Sequence, residues 1–502
     1  MTQGNSEPLA LIGEETLPPI GKGERGEGMR TAVGTAQLLS VQVLGLVMGF
    51  AISVVLTRGL GPERYGLYSV AFSTAMWVEI SVAAMFRQTT IKFMAEADDW
   101  QTTGAALMQT EFTAGLLGGL ALVFLAPSAA TLLHAPALTP LLRLMGLYIP
   151  LRGLSHSQSS ILVGRGEFGR AALPPAFYWP VRLALAAGLI RVGLSTEAGI
   201  WAVIGASTVE ICVLYSLLRL WPFRRTTFPR RRILGYALPL FFNGLGLRLL
   251  TRVDLLAVQA RGGDAASGHY GAAQNIGLLP FSFLGGALSA PMLSTIARLT
   301  REGQRESAGR IIHNTLRFLV CLLPLVAVAA GAADEIVSLL FGPLFLPAAP
   351  VLAWLVFAGL ALDLVNVSGS LLTAAGRPSW NLLLTAPVLP LALAGHWLLV
   401  PRFGAPAAAA VTAVLAVGAA LATTAVMRTL WHVSFPWIST MRSCLLAVAA
   451  YLVSAAWPAP GLFLLLKLAV LSLAIGGVFL LSGELGREEL LSLRRTLPRH
   501  RP

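Results

Sequence analysis

The sequence predicts an all-α polytopic membrane protein. Two six-helix lobes related by a pseudo-two-fold axis along the membrane normal are followed by an extra helix pair, about 14 transmembrane helices in all. Three observations carry this. Hydrophobic residues make up 55% of the chain and charged ones 12%, with a mean hydropathy of +0.72, which excludes a soluble enzyme with one anchor. Apolar runs of about 20 residues recur along the chain between short polar breaks. A short motif after the first run returns after the seventh.

Residues 1–32 are polar and mixed in charge, with Glu14, Glu15, Glu24 and Glu27 against Lys22, Arg25 and Arg30. No basic segment leads into a short apolar core there, so a mobile cytoplasmic tail is expected and a cleaved signal peptide is not. The N-lobe, 33–222, holds spans at 33–57, 66–86, 104–125, 141–163, 174–194 and 199–220. The C-lobe, 223–432, holds spans at 234–259, 268–292, 311–330, 348–372, 381–400 and 405–427. The extra pair, 433–482, places spans at 443–457 and 461–481 around a Pro-Ala-Pro-Gly turn, and the thirteenth is the shortest. A basic cytoplasmic tail, 483–502, closes the chain. Cys212, Cys321 and Cys444 all fall inside apolar runs, which implies packing rather than a disulfide framework or a metal site.

Charge sets the orientation. With the N-terminus cytoplasmic, inner loops and tails carry about 25 Lys/Arg and outer loops about five. The densest block is Arg219, Arg224, Arg225, Arg230, Arg231 and Arg232, between the sixth and seventh spans. Both termini are then cytoplasmic, as an even span count requires. Basic residues scattered over short loops are an orientation signal, so nucleic acid is not an expected partner.

The seventh span reads LGYALPLFFNGLGLRLLTRVDLLAVQ and carries charges where lipid tolerates none. Arg248 and Arg252 are one helical turn apart and share a face. A charge near the bilayer centre costs about 3 kcal/mol on insertion scales. That face therefore looks into a wet cavity that an anion can occupy, or both arginines pair with carboxylates on neighbouring helices.

After the first span comes RGLGPERYGLYSVA (58–71), and after the seventh RGGDAASGHYGAA (261–273). With one gap, Arg58 matches Arg261, Gly66 matches Gly268, Tyr68 matches Tyr270 and Ala71 matches Ala273. Gly164-Arg165 against Gly376-Arg377 is a weaker second match. Six helices separate the copies, an even number, so both halves share one orientation in the membrane.

The motif LTRGLGPERYGLYSVAFS resembles the hallmark turn of polysaccharide-biosynthesis transporters. VDLLAVQARGGDAASGHYGAAQNIGLLPFSFLGGALSAPMLSTIARL is similar to their second-lobe counterpart, with the family's aspartate at Asp254 and its helix-ending proline at Pro291. EIVSLLFGPLFLPAAPVLAWL (335–355) resembles the turn before their tenth helix. The resemblance covers about 38–427 and implies the multidrug/oligosaccharidyl-lipid/polysaccharide exporter superfamily. Within it, the nearest branch is the flippases that move undecaprenyl-pyrophosphate-linked oligosaccharides across the bacterial inner membrane. Leu255 departs from the family pattern, where an arginine is frequent.

For that substrate, arginine's planar fork binds phosphate bidentately and stays charged. Arg248 and Arg252 are the first candidates for pyrophosphate contact. Arg152 and Arg182 come next, unless Glu111 and Glu210 absorb their charge within the first lobe. Arg87 and Lys92 recruit the headgroup or anchor a helix end. Glu79 and Asp363 are candidates for ion coupling, and Glu79 is alternatively a partner for Arg248 or Arg252. Gln37, Asn243, Gln274 and Asn275 line the cavity for sugar hydroxyls or bridge neighbouring helices. Arg58, Gly66, Tyr68, Asp254, Gly268 and Tyr270 are assigned to an outer gate. His156, His313 and His396 are isolated and read as packing or interfacial residues rather than catalytic ones. No catalytic constellation, cofactor motif or metal cluster is present in the sequence, and every loop is too short for a membrane glycosyltransferase or polymerase. Such enzymes are instead candidate partners, beside the lipid-linked substrate and membrane lipids. A cation-coupled drug extruder and a non-transporting envelope scaffold are the rival functions.

Overall fold

The computed structural model describes residues 22–222, 224, 226, 228–238, 253–374, 378–431 and 436–484, with helices the regular elements throughout. Nine helices in this set are long and apolar enough to cross a membrane by length and composition. Several hold two of the expected spans. The first helix, α1 (Lys22–Ala95), folds back at Gly61, whose φ of 73° and ψ of 173° belong to a region essentially reserved for glycine. Pro62 follows, pre-set to start the second arm.

The rest of the first half is α2 (Trp100–Leu132), α3 (Leu138–Met145), α4 (Tyr148–Gly164), α5 (Phe168–Arg191) and α6 (Glu197–Leu218). Asp99 caps α2, its carboxylate accepting from the backbone N–H groups of Gln101 and Thr102 at 3.0 and 3.2 Å. Hydrogen bonding from Thr102 holds that carboxyl below the usual aspartate range. The fourth span, expected as one helix over 141–163, is instead two. Pro150 lacks an N–H for the carbonyl of Gly146 and its ring crowds it, so the chain breaks between α3 and α4. Glycines let α2 cross that break closely: a Cβ on Gly119 would lie 2.4 Å from the Gly146 carbonyl oxygen.

Residues 230–238 are helical. Beyond them come α7 (Val253–Arg301), α8 (Arg305–Cys321), α9 (Leu323–Gly331) and α10 (Ala333–Phe341). A 3-10 turn (Pro343–Ala348) leads into α11 (Ala349–Ala374), α12 (Pro378–Thr385) and α13 (Val388–Trp431). α7 folds back at Gly263 (φ 76°, ψ −170°) and α13 at Gly404 (φ 68°, ψ −154°). The ninth and eleventh spans are broken as well, by Pro324 between α8 and α9 and by Pro387 and Pro390 between α12 and α13.

The extra pair is α14 (Trp437–Ala456) and α15 (Phe463–Leu481). At 20 residues α14 is about 30 Å long, enough to cross the hydrocarbon core. The pair is pinned to the second half at both ends. Lys467, fully buried, reaches the Glu335 carboxylate at 2.8 Å. At the other end Glu484 takes Arg317 at 2.9 Å, Arg442 at 3.0 Å and Ser439 at 2.7 Å. Partial burial pushes the Glu484 carboxyl up, but these hydrogen bonds outweigh it and hold it below the ordinary glutamate range.

The distribution of the apolar core fixes the overall shape. One large cluster is shared by both halves at the end where α1 and α7 turn: Leu56, Tyr65, Tyr68 and Val70 pack into it with Leu255, Val258, Tyr270 and Leu352. Towards the opposite end this core divides. Phe86, Phe93, Met108, Ile161 and Leu214 make a cluster with Ile233 and Ala237 of the 230–238 stretch, while Ile296, Ile312, Leu316, Leu371 and Met427 make one of second-half helices. Among the described residues, contacts between the halves run from α1 to α7, α10 and the 3-10 turn, and at the opposite end the 230–238 stretch packs on the first-half cluster. Among the described residues the two halves thus share a crown and form separate clusters below it, with the 230–238 stretch packed on the first.

Candidate functional site

The crown is built from the two copies of the repeated motif. Gly61 and Gly263 adopt the same backbone conformation, and counting from them gives Gly66 and Gly268 at equal spacing. The one-residue gap therefore falls between each motif arginine and its turning glycine. The two turns dock reciprocally. A Cβ on Gly66 would stand 1.8 Å from the Asp264 carbonyl oxygen, and one on Gly268 would stand 2.0 Å from that of Pro62. Backbone meets backbone here, and no side chain fits at either position.

Side chains from both lobes complete the closure. The Arg58 guanidinium donates to the carbonyls of Leu340 at 2.9 Å and Leu339 at 2.6 Å, where α10 ends and its last carbonyls lack helical partners. Asn275 of α7 donates to the Tyr65 hydroxyl of α1 at 2.9 Å. Tyr65 and His269 both meet Phe345 edge-on. Arg261, the repeat partner of Arg58, is exposed.

Below the crown the first lobe holds a chain of ionisable groups. Arg152 donates to Glu210 and lies 3.3 Å from His156. The same His156 nitrogen is 2.7 Å from Glu79. The Arg152 guanidinium also sits over the Tyr178 ring at 5.0 Å. Arg182 is buried, donates to the Tyr68 hydroxyl at 2.9 Å and stacks on Phe72 at 4.9 Å. Within the lobe, Glu210 takes Arg152. For Arg182 the partner is an aromatic box rather than a carboxylate.

The second lobe answers with acid. Asp254 is buried and accepts from Tyr270 at 2.7 Å and Gln274 at 3.2 Å, with Thr412 at 3.5 Å. The repeat-related tyrosines thus hold opposite charges: Tyr68 an arginine, Tyr270 an aspartate. Asp254, Gln274, Asn275, Asp363, His396 and Thr412 border a cavity of about 340 Å³ among apolar side chains of α7, α11 and α13. Asp363 is 2% exposed, and neither carboxylate oxygen has a described partner.

Asn243, Arg248 and Arg252, the side chain of Gln37, and the Gly376-Arg377 match lie outside the described residues. Arg87 and Lys92 are exposed at the far end of α1, and Lys92 sits over the Tyr236 ring at 4.3 Å. The Arg224 and Arg230 side chains reach Gln101 and Gln109 at 2.7 Å each, so the basic loop lies at the start of α2, opposite the crown. His156 is at the centre of the first-lobe chain, a placement signalled by its i,i+4 spacing from Arg152. Lys467 is not among the residues expected from sequence, although a lone cation inside a 19-residue apolar helix is a visible signal.

Comparison with known proteins places this architecture. The solved structure of "Lipid II flippase MurJ, inward closed conformation" superposes with a TM-score of 0.71 at 15% identity, covering 88% of this chain and 98% of that one. An inward-facing multidrug resistance MATE family transporter of the MOP superfamily follows at 0.59 and 16% identity, covering 82% and 98%. These likenesses establish the fold. Succinoglycan biosynthesis transport protein ExoT of Rhizobium meliloti (strain 1021) is 25% identical over 332 residues, 64% of this chain. The match spans 64% of that relative's length, less than two thirds. The family described as "Polysaccharide biosynthesis protein" matches residues 55–350, which include both copies of the repeat and the whole crown. By that match, over more than half its length, the chain belongs to the polysaccharide biosynthesis protein family.

Proposed function

We propose that this protein is a flippase that moves a polyprenyl-pyrophosphate-linked oligosaccharide across the bacterial cytoplasmic membrane by alternating access. The observation that carries the reading is the crown: two glycine turns closed reciprocally across the lobes, above two cores that part. The headgroup enters between the parted lobes on the basic, cytoplasmic side while its polyprenyl tail stays in lipid. Release follows when the crown opens. Arg248 and Arg252 are assigned to the pyrophosphate, with Arg152, paired with Glu210, and Arg182, bonded to Tyr68, shaping the first-lobe wall. Arginine does not shed its proton, so release comes from opening and rehydration. Differential affinity alone shifts populations without driving net transport, so an ion gradient or consumption of product outside supplies direction.

The acids of the second-lobe cavity are the one observation that favours the rival, a cation-coupled drug extruder. Its volume is at the low end for a drug-sized ligand, and an oligosaccharide head needs the larger space between the lobes. We assign the cavity, with Asp363, to a coupling cation. Proteoliposomes loaded with a fluorescent polyprenyl-pyrophosphate oligosaccharide test the proposal. Wild-type protein flips it; Arg248→Lys or Arg252→Lys impairs flipping despite the kept charge, and the double Arg→Ala variant abolishes it while still inserting. Export of hydrophobic cations with no flipping would favour the extruder, and normal flipping by the double variant would remove the pyrophosphate role.

A further inference from the structure

The extra helix pair is fastened to the second lobe several times over without Lys467. A Cβ on Gly331, at the end of α9, would stand 2.7 Å from the Tyr451 carbonyl oxygen of α14, so the two backbones pack at close range. Ser454 of α14 donates to the Val328 carbonyl of α9 at 2.9 Å. Val328, Ala450, Leu471, Ile475 and Phe479 form a small core of their own. Glu484 closes the basic end. Lys467 holds something else.

It lies one turn into α15, fully buried, in a helix with no other charged residue. A methionine would fill the space without carrying a charge into the membrane, so packing does not account for a lysine. Its partner at 2.8 Å, Glu335, is not on α9 but on α10, beyond the break at Ala332. Among the described residues this is the one ion pair that joins the extra helices to α10.

The other end of α10 is part of the crown. There the Leu339 and Leu340 carbonyls accept from Arg58 of the first lobe. Gly342, at φ 90°, turns the chain into the 3-10 segment. In that segment the Leu344 carbonyl is 3.1 Å from the His269 Nε2, and Phe345 meets Tyr65 and His269. The stretch from Glu335 to Phe345 is thus a strap between the extra pair and the crown. At nine residues α10 is a stiff strut about 13.5 Å long. Held at its crown end alone it is free to pivot at Ala332; the ion pair fixes its near end.

We propose that Lys467 is a positioning residue for the gate: through Glu335 it braces α10 so that the Leu339 and Leu340 carbonyls meet Arg58, and the extra helix pair thereby keeps the crown shut. That the crown is a gate rests on the transport reading; the brace is measured without transport. The test uses the purified full chain in nanodiscs, with its native cysteines removed and Ser69→Cys added. Ser69 is 6% exposed, and a Cβ on Gly271 of the opposite lobe would stand 2.9 Å from its Oγ, so a maleimide reaches this position when the crown loosens. Lys467→Met should be labelled about fivefold faster, the effect of losing one strap contact of ordinary hydrogen-bond strength. Arg58→Ala should accelerate labelling too, and the double variant should fall well short of the product of the two, because both release one strap. Glu484→Gln, which frees the opposite end of the pair, should leave the rate unchanged. Should Lys467→Met fail to fold, Glu335→Gln removes the same ion pair at nearly constant volume and carries the same expectation. The brace is overturned by an unchanged rate in the folded variant, by the full product in the double variant, or by equal acceleration in Glu484→Gln. Acceleration by Arg58→Ala alone removes the brace and leaves the gate. Acceleration by both in a protein that flips no lipid-linked sugar overturns the transport reading and leaves the brace standing.

Discussion

Gly66 and Gly268 are the residues on which the closed crown depends most directly. Each faces a backbone carbonyl of the opposite lobe at a distance no Cβ tolerates, and backbone does not move aside as a flexible side chain would. Gly66→Ala or Gly268→Ala should therefore hold the crown ajar in an inserted, folded protein. The expected result is at least a tenfold loss of flipping, with increased labelling of a cysteine substituted at Tyr65, which is 1% exposed in the closed state. Arg58→Ala is milder. Its guanidinium bonds two helix-end carbonyls from an exposed position, so solvent screening limits the gain to about 1 kcal/mol, or a few-fold shift towards the open crown. The same labelling assay reads both variants.

At the scale of elements, charge fastens the extra helix pair to the second lobe. Glu484 holds Arg317 and Arg442 together, and its carboxyl sits below the ordinary glutamate range. A lowered value means the clasp contributes stability above the unfolded glutamate range, about pH 4.3, and loses it as pH falls through the folded value. The protection of α14 against hydrogen exchange, relative to the intrinsic amide rate at each pH, should thus fall on acidification in the wild type. Glu484→Gln should exchange faster at neutral pH and show a smaller pH response; equal exchange in both proteins would contradict the clasp. These elements also mark what was legible in the sequence. Span positions follow from hydropathy because each helix must bury its backbone polarity in lipid. The breaks at Pro150, Pro324 and Pro387 were visible as prolines, yet prolines also sit inside unbroken helices such as α5, which carries Pro174, Pro175 and Pro180. Whether a proline divides a span depends on packing, which sequence does not display. The charge partners were harder still. Arg152 and Glu210 are 58 residues apart, and His156 meets Glu79 of another helix, a contact that no local spacing signals.

At the scale of the whole molecule, the described residues of both halves meet in one crown, and the repeat is the sequence feature that marks its two turns. The motif showed which turns correspond; only the structure reveals that they touch each other, and that the gap falls just before the turning glycine. The two repeat-related tyrosines hold opposite charges, Arg182 beside Tyr68 and Asp254 beside Tyr270, which hydropathy alone does not disclose. If the crown is the gate, opening it must bring the parted ends together, because the lobes are packed bodies. Double electron–electron resonance measures this directly. One spin-label pair is placed across the crown at Glu63 and Leu344, and a second at the basic end at Asp98 and Glu302, all exposed positions, in protein lacking its native cysteines. On adding lipid-linked oligosaccharide under transport conditions, the crown distance should gain a longer population while the basic-end distance gains a shorter one. Distances that stay fixed at both ends while substrate is flipped would contradict alternating access.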